Sequence, residues 1–325
     1  MTTEVPVNAM IIVESLTKSF GSKLAVDDIS FSVEKGEVLG FLGPNGAGKS
    51  TSMRMITGYL PPTAGKVAVC GFDVLDQPLE CKGKIGYLPE NAPIYSDMSV
   101  LGFLSFCAAL RGLYGALKTK AIDNVVEYCF LHPVLHQSVD TLSKGYRHRT
   151  CLAQALLHDP EVLILDEPTD GLDPNQKHEV RSLIRQMGKN KAIIFSTHIL
   201  EEVEAACTKA IIIDQGKIVA VGTPAELKAR APLAGTIVVG LRGITWQALQ
   251  PELTRLRFLA KSELLDESDT RVSARLQPSG ALLPEFLEVA QQRRWQVEHL
   301  TVDEGRLDDV FREITMPETK RVSTP

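Results

Sequence analysis

The amino-acid sequence predicts an α/β protein with a parallel core sheet, followed by a smaller α+β domain. Three features predict it: short apolar runs alternate with helical spacing up to about residue 231, a glycine-rich run lies between one apolar run and a helix, and the spacing changes after Pro232. Short buried strands that alternate with helices are typical of a parallel sheet covered on both faces. A chain of 325 residues is long enough for one long domain or two shorter ones.

The glycine-rich run from Gly43 to Thr51 is the most specific motif in the chain. Residues 37–42 precede it as a predicted strand, and residues 50–59 follow it as a predicted helix. Glycines let backbone N–H groups point at phosphate oxygens, and the helix N-terminus adds positive potential. The motif therefore predicts a nucleotide-phosphate site in which Lys49 reaches the β- and γ-phosphates and Ser50 holds Mg²⁺. The predicted contacts are Gly43, Pro44, Asn45, Gly46, Ala47, Gly48, Lys49, Ser50 and Thr51.

Further strands and a helical insertion complete the first predicted domain, residues 1–231. Residues 95–150 carry few strand signals and are predicted to be a helical subdomain. The pair Gln215-Gly216 predicts a hairpin that closes the domain. The predicted strands are residues 10–14, 24–33, 66–70, 84–88, 161–165, 191–195, 210–213 and 217–221.

Residues 232–316 have a different pattern, which predicts a separate domain. Strand spacing and helical spacing alternate there, and residues 266–269 are predicted to turn the chain into the strand that contains Val272, Ala274 and Leu276. We interpret the segment as strand–helix–strand–strand–helix–strand, the order of a ferredoxin-like module. Its role is predicted to be accessory or regulatory: dimerisation, ligand sensing or capping of the core. Residues 317–325 are polar and are predicted to be a mobile tail.

A second chemical site is predicted at Asp166-Glu167-Pro168, which ends an apolar run. A carboxylate at the end of a buried strand can hold Mg²⁺ directly or through water, and we assign that role to Asp166. Glu167 is predicted to polarise a water molecule for attack on the γ-phosphate. An Asp-Glu pair alone is more often a solvated strand end, but the complete phosphate motif upstream favours the catalytic interpretation.

Shorter motifs accompany these two in a characteristic order. They are Phe20 within residues 17–21, Glu90 after Gly86-Tyr87-Leu88-Pro89, Leu142-Ser143-Lys144-Gly145-Tyr146, Gly171-Leu172-Asp173 and Ser196-Thr197-His198. With them, residues 10–230 resemble the nucleotide-binding subunit of an ATP-binding cassette (ABC) transporter. The resemblance implies a P-loop ATPase fold with a parallel core sheet, an antiparallel β subdomain and a helical subdomain, and it implies ATP and Mg²⁺ as cofactors.

The same resemblance implies roles for individual residues. Phe20 would stack on adenine, Glu90 at the Q-loop position would bind Mg²⁺ or water, and His198 would hold the attacking water and Glu167 in line with the γ-phosphate. Ser143 and Gly145 begin a helix whose first N–H groups are unpaired.

In the family pattern, Ser143 and Gly145 bind the γ-phosphate of nucleotide held by the opposite subunit, so a homodimer sandwiches two ATP molecules. Asp173 would make contacts across that dimer, or it would cap a helix ahead of Pro174.

Three departures from the family pattern stand out: Glu90 replaces a glutamine, Phe20 replaces a tyrosine, and Lys144 and Tyr146 alter the signature. Lys144 would either add a charge near phosphate or face solvent. We expect hydrolysis to survive because the catalytic residues Lys49, Glu167 and His198 and the metal-binding Asp166 are all present.

The composition disfavours several kinds of partner and site, and three further motifs indicate a branch of the family. The net charge of −5 disfavours nucleic acid as a partner, no apolar run reaches the ~18–20 residues of a membrane span, and the six cysteines are too scattered for a disulfide or zinc framework. The Pro89-Glu90 pair, the Leu-Ser-Lys-Gly signature and residues 307–315 resemble the ABC-2-type exporter branch, which includes multidrug and gliding-motility-associated systems.

We therefore expect an export ATPase that is peripheral on the cytoplasmic face of the cell membrane. It would dock on a separate transmembrane permease through residues 90–95 and 98–110. The alternatives are an ABC ATPase that acts on nucleic acid or ribosomes, and a regulatory ATP-binding subunit that does not hydrolyse ATP.

Overall fold

The structure is a computed structural model that describes residues 8–91, 93–268 and 271–315. The chain divides into two compact units, Met1–Pro224 and Ala225–Pro325. The predicted boundary after residue 231 lies seven residues beyond this division. The predicted mobile tail, residues 317–325, lies outside the described residues.

The first unit contains ten strands and seven α-helices in its described part, together with two short 3-10 helices, His132–Val134 and Val139–Thr141. In chain order they are β1 (Ala9–Phe20), β2 (Lys23–Glu34), β3 (Val38–Leu42), α1 (Lys49–Ile56), β4 (Ala64–Val69), β5 (Phe72–Asp73), α2 (Pro78–Lys84), β6 (Ile85–Leu88), α3 (Val100–Leu110), α4 (Gly115–Tyr128), α5 (Lys144–Leu156), β7 (Val162–Asp166), α6 (Pro174–Met187), β8 (Ala192–Thr197), α7 (Leu200–Ala206), β9 (Lys209–Asp214) and β10 (Lys217–Gly222). A short helix α8 (Pro224–Lys228) begins at the division between the units.

A six-stranded sheet forms the centre of this unit, in the order β10-β9-β3-β8-β7-β6. All its neighbouring strands are parallel except the hairpin β9–β10, so the predicted parallel core and closing hairpin are confirmed. Every residue of β3, β7 and β8 is buried, which explains their continuous apolar sequence. The carboxyl ends of β3, β7 and β8 therefore lie side by side, and the chemical motifs follow these ends.

Two further layers surround the core sheet. An antiparallel sheet in the order β2-β1-β4-β5 forms the predicted β subdomain. Helices α3, α4 and α5 occupy the predicted helical insertion and share one apolar cluster, which includes Phe103, Val125 and Leu152. The insertion ends later than expected because α5 continues to Leu156. Within the described ranges, no helix is both long enough and apolar enough to span a bilayer.

Helix α1 ends earlier than the sequence predicts. The apolar pattern suggested a helix to residue 59, but the helix stops at Ile56. Gly58 adopts a left-handed conformation with φ of +68°, and the backbone N–H groups of Tyr59 and Leu60 turn back to the carbonyl of Arg54. A left-handed glycine that closes the last turn is a common helix terminus.

The second unit contains a four-stranded antiparallel sheet and three further helices in its described part. Its elements are β11 (Ile237–Arg242), α9 (Trp246–Leu253), β12 (Leu259–Ser268), β13 (Arg271–Pro278), α10 (Leu282–Gln292), β14 (Gln296–Val302) and α11 (Leu307–Thr315). The strand order β12-β13-β11-β14 and the chain order are those of the predicted ferredoxin-like module. This unit has its own apolar core, which includes Val239, Leu249 and Phe286.

One prediction in this unit was wrong. Residues 266–269 were expected to form a turn, but Asp266 and Glu267 belong to β12 and pair with Ser273 and Val272. β12 is an edge strand whose side chains are mostly exposed, so its sequence is polar and lacks the alternation that marks a half-buried strand. Residues 269–270 lie outside the described part of the chain.

Candidate nucleotide site

The phosphate motif connects the carboxyl end of β3 to the first turn of α1, as the sequence predicts. Gly46 and Gly48 have φ of +82° and +110°, values that L side chains rarely adopt. A Cβ atom on Gly48 would lie 2.6 Å from the carbonyl oxygen of Ala25, and one on Gly43 would lie 2.4 Å from that of Ile213. The motif therefore needs its glycines both for conformation and for space.

The Lys49 side chain is buried within the loop. Its Nζ donates hydrogen bonds to the carbonyl oxygens of Gly43 (2.8 Å) and Pro44 (3.2 Å) and lies 3.9 Å from Glu167 Oε1. Burial lowers the pKa of Lys49, and the nearby carboxylates of Glu167, Asp166 and Glu90 oppose that shift. The amine is thus held by loop carbonyls and faces a cluster of carboxylates.

The Asp166 carboxylate connects three elements at the carboxyl edge of the sheet. Its Oδ1 accepts hydrogen bonds from Ser50 Oγ (3.1 Å), at the start of α1, and from Ser196 Oγ (2.5 Å), in β8. Its Oδ2 is buried and has no hydrogen-bond partner among the described residues. An orphaned carboxylate oxygen beside a serine hydroxyl fits the donor set that Mg²⁺ prefers.

The protein itself offers only part of a metal coordination sphere. Within the described ranges, no group of three or more His, Cys, Asp or Glu side chains is arranged to hold a metal ion. Mg²⁺ keeps several water molecules and takes phosphate oxygens as ligands in nucleotide sites. The pair Ser50 and Asp166 therefore fits a cation that arrives with nucleotide.

Glu167 and His198 form a close pair at the neighbouring strand ends. His198 Nδ1 lies 2.9 Å from Glu167 Oε2, while the other oxygen of Glu167 faces Lys49. Glu167 has φ of +51°, a left-handed backbone conformation that is uncommon outside glycine. Its N–H donates to Ser196 Oγ at 3.0 Å, which holds this conformation in place.

Phe20 and Glu90 lie at less enclosed positions. Phe20 ends β1 with half of its side chain exposed, and the Lys18 ammonium lies 5.3 Å from its ring centroid. An exposed ring of this kind offers a stacking face for a nucleobase. Glu90 follows β6 and lies close enough to Lys49 for its charge to oppose part of the lowering of the pKa of Lys49 that burial causes.

The signature residues begin α5, as predicted. Ser143 is the N-cap of this helix, and its Oγ accepts a hydrogen bond from the N–H of Tyr146 at 3.4 Å. Among the hydrogen bonds and ion pairs found in the described ranges, none joins Ser143 or Gly145 to the phosphate loop. Within one chain, the signature is therefore not tied to the phosphate loop by these interactions.

Lys144 and Gly145 contact the segment that follows Glu167. Lys144 Nζ donates to Asp170 Oδ2 at 2.9 Å, and this hydrogen bond lowers the pKa of Asp170. A Cβ atom on Gly145 would lie 2.4 Å from the side-chain oxygen of Gln176. Lys144 faces solvent, which is one of the two alternatives that the sequence left open, and it pairs there with Asp170. A charge added near phosphate stays a prediction.

Asp173 caps α6. Its Oδ1 accepts a hydrogen bond from the N–H of Gln176 at 2.9 Å, and Pro174 occupies the first helical position. This is the capping alternative expected from the sequence. A cap through Oδ1 is compatible with a further contact through the second carboxylate oxygen of Asp173.

Sequence reasoning missed two polar residues that organise the site. Ser196 links Asp166 to the backbone of Glu167, and Glu202 accepts hydrogen bonds from Thr169 and Thr197. Ser196 was seen only as part of the His198 motif. A signal for it exists, because the residue at the end of β8 must lie beside Asp166 once β7 and β8 are parallel neighbours.

Comparisons with known proteins match this architecture. The family model for ABC transporters matches residues 26–170. A second, short match, to an imidazolonepropionase-like composite domain of bacteria, covers only residues 210–234, mainly the β9–β10 hairpin.

Curated proteins and solved structures give the same family. An uncharacterized ABC transporter ATP-binding protein of Bacillus subtilis, YxlF, is 41% identical over 219 residues, which cover 67% of this chain and 72% of that protein. The Nod factor export ATP-binding protein I of Paraburkholderia xenovorans is 32% identical over 94% of this chain and 97% of its own length. A solved structure of the ATP-binding subunit of an ABC transporter aligns with a TM-score of 0.64 at 28% identity, covering 76% of this chain and all of that one. Since these relatives are matched over most of their length, the chain belongs to the ATP-binding proteins of the ABC transporter family.

Proposed function

We propose that this chain is the ATP-binding and ATP-hydrolysing subunit of an ABC-2-type exporter and that it works with a separate transmembrane partner. One observation carries the catalytic part of this proposal: Lys49, Glu167 and His198 converge beside the phosphate loop. ABC-family membership supplies the reaction, which is ATP hydrolysis. The contacts within the site support a role for each residue.

The phosphate loop and Lys49 bind the ATP phosphates. In the structure, the ammonium of Lys49 donates hydrogen bonds to the carbonyls of Gly43 and Pro44. Phosphate oxygens are stronger acceptors for an ammonium group than neutral carbonyls, because the hydrogen bond is then charge-assisted on both sides. Lys49 is thus prepared to neutralise the β- and γ-phosphates, while the exposed ring of Phe20 stacks on the base.

Glu167 and His198 act on the attacking water. Glu167 Oε1 or Oε2 accepts a proton from the water as the water oxygen bonds to the γ-phosphorus. The bond from that phosphorus to the β–γ bridging oxygen breaks, and ADP leaves with the electron pair. His198 keeps the water and the carboxylate aligned. Ser50 Oγ and Asp166 Oδ2 would hold Mg²⁺, and Glu90, whose charge acts on Lys49, is the third residue that we assign to it. When bound, Mg²⁺ neutralises charge that develops on the β- and γ-phosphate oxygens.

A second copy completes the site in this proposal. The N–H groups in the first turn of α5, around Ser143 and Gly145, bind the γ-phosphate of ATP held by the opposite subunit. Asp173, at the start of α6, lies in the segment that meets the partner. Two ATP molecules close the homodimer, and hydrolysis reopens it, which moves the membrane subunits.

Export and membrane docking are supported by the relatives and by an exposed aromatic surface. The relative that is matched over 97% of its length is named as an export ATP-binding protein. Tyr95 is 53% exposed and packs edge-on against Phe106 of α3 with ring centroids 5.4 Å apart. In this proposal, residues 90–95 and 98–110 form the docking groove for the permease, and the docked chain lies at the cytoplasmic face of the membrane.

The ferredoxin-like module, residues 232–316 in the proposed domain division, serves as the accessory domain. Of its three possible roles, we rank strengthening of the dimer first, sensing of a ligand second and capping of the core third. It carries none of the residues assigned to nucleotide, which all lie between Phe20 and His198.

The test is Mg-ATP turnover by the purified chain, together with the oligomeric state of Glu167→Gln in ATP. We expect turnover in the wild type and an ATP-dependent dimer of the variant, because the amide still contacts the site but accepts no proton. Light scattering with and without ATP measures the dimer. Absence of both turnover and dimer contradicts the proposal for the isolated chain.

Three further measurements test the proposal against its alternatives. Salt-sensitive binding of DNA or RNA would instead support an ABC ATPase that acts on nucleic acid. Failure to hydrolyse ATP even with the membrane partner present would support a regulatory subunit. Inward movement of substrate by vesicles that contain the full complex would refute export.

A further inference from the structure

Glu202, in helix α7, is a buried carboxyl group that none of the proposed catalytic roles uses. Its side chain is 1% exposed, whereas its neighbour Glu201 on the same helix is exposed. Burial of a carboxyl group is costly unless hydrogen bonds replace its contacts with water. Its partners therefore show which parts of the structure it holds.

Each oxygen of Glu202 accepts a hydrogen bond from a threonine hydroxyl. Thr197 Oγ1 donates to Oε2 at 2.7 Å, and Thr169 Oγ1 donates to Oε1. Both threonines are almost fully buried, with exposures of 2% and 3%. Thr197 Oγ1 also accepts a hydrogen bond from the N–H of Ile199 at 3.0 Å, so its position is set from two sides.

These threonines belong to the two segments that carry the proposed water-binding pair. Thr169 follows Glu167 by two residues in the segment after β7, and Thr197 directly precedes His198 at the end of β8. The distance between Glu167 and His198, 2.9 Å, depends on how these two segments are spaced. Glu202 connects them through two hydroxyl groups, in addition to the hydrogen bonds that Ser196 makes to Asp166 and to the N–H of Glu167.

We propose that Glu202 is a positioning residue for ATP hydrolysis: it fixes the segment of Glu167 against the segment of His198 through Thr169 and Thr197. The inference rests on the roles proposed above for Glu167 and His198. Glu202 touches neither reacting atom, and it acts through the alignment of the pair. Misplacement of catalytic groups by about 1 Å can cost a hundredfold in rate, so such a connection has a measurable effect.

A packing role for the same residues predicts a different result. If the threonines only fill space, valine, which keeps the branched shape, is the milder substitution, and serine, which loses a methyl group, is the harsher one. If they transmit position through hydrogen bonds, serine keeps the hydroxyl and valine removes it. The two substitutions therefore rank in opposite order under the two explanations.

The experiment measures kcat and KM for Mg-ATP in full-length variants. We expect Thr197→Val, Thr169→Val and Glu202→Gln to lower kcat by about tenfold or more, with KM within about twofold of wild type, because binding groups are untouched. Thr197→Ser and Thr169→Ser should remain within about threefold of wild type. Glu201→Gln is the matched control on the exposed side of α7 and should leave kcat unchanged.

A second measurement tests the inference without turnover. In the nucleotide-free, full-length protein, the ring nitrogen signals of His198 in NMR spectra should move in both valine variants and stay in place in Glu201→Gln. Serine variants that lose as much kcat as the valine variants, or a His198 signal that the valine variants do not change, would overturn the inference. A wild type without turnover, or a Glu167→Gln variant that retains it, would instead contradict the proposed function, and the NMR result would still decide the role of Glu202.

Discussion

At the scale of single residues, Glu167 shows that the site stores strain. Its φ of +51° belongs to a conformation that costs a residue with a side chain about 1–3 kcal/mol. The hydrogen bond from its N–H to Ser196 Oγ offsets part of that cost. The result is a carboxylate whose two oxygens face different partners, Lys49 and His198. A residue in an ordinary strand conformation would continue along β7.

His158 gives a prediction about acid stability. Burial, and secondarily the charge of Arg111, lower its pKa to about 4, and its Nε2 donates to the carbonyl of Ile85 at 3.1 Å. The unfolded chain, with a histidine pKa of about 6.5, binds the proton more readily. The free energy of unfolding should therefore fall as the pH drops from about 6.5 towards 4, by at most about 3 kcal/mol for this group.

The variant His158→Gln keeps a donor for Ile85 but has no proton to gain. We expect its stability to change less between pH 6.5 and 4 than that of the wild type, as measured by urea unfolding at several pH values. His136→Gln, at an exposed histidine, should retain the wild-type slope. Parallel slopes for wild type and His158→Gln would show that His158 does not resist protonation.

At the scale of elements, helix α5 illustrates how an altered signature fits its surroundings. Lys144 pairs with Asp170, and Gly145 faces Gln176 of α6, so the first turn of α5 contacts the segment between β7 and α6. Both members of the ion pair are more than half exposed. Such pairs contribute about 0–1 kcal/mol, so the contact positions the turn more than it stabilises the fold.

We expect the substitution of alanine for glycine to have opposite effects on stability at two positions in different elements. Gly48 is the N-cap of α1, has φ of +110° and lies against the Ala25 carbonyl. A Cβ atom on Gly83, in α2, would instead meet open space within the described part of the chain. Gly48→Ala should destabilise the chain by roughly 1–3 kcal/mol and weaken ATP binding, because the loop must shift. Gly83→Ala should stabilise it by about 0.5–1 kcal/mol.

Urea unfolding and titration with a fluorescent ATP analogue measure both effects. The pair is informative because the added methyl group is the same and only the backbone environment differs. Unchanged nucleotide affinity in Gly48→Ala would contradict the requirement for a left-handed glycine at the start of α1.

At the scale of the whole molecule, two units with separate apolar cores predict independent folding. The residues assigned to ATP lie in the first unit, and the cluster that includes Val239 and Phe286 lies in the second. A fragment that ends at Pro224 should therefore fold and bind ATP with a Kd within about threefold of the full chain. Circular dichroism and the same ATP titration measure this. An unfolded fragment would show that the second unit is required for the first.

The sequence by itself determined the parts of this protein that depend on local pattern. Apolar runs between helices predicted the parallel sheet, the context of Gly43 to Thr51 predicted the phosphate loop, and the alternating spacing after Pro232 predicted the ferredoxin-like order. Each of these signals lies within one segment, where periodicity and glycine conformation act directly. The end of the polar edge strand β12 was predicted to be a turn because its exposed side chains carry no such pattern.

Only the tertiary structure decided which distant polar groups meet. Ser196 with Asp166, Lys144 with Asp170, and Glu202 with Thr169 are separated by 26 to 33 residues in the chain. Their contacts depend on β7 and β8 being neighbours and on how α5 and α7 lie against the ends of those strands. Hydrogen bonds need an approach within about 3 Å, and that precision comes from the packing of whole elements, which no single segment of sequence encodes.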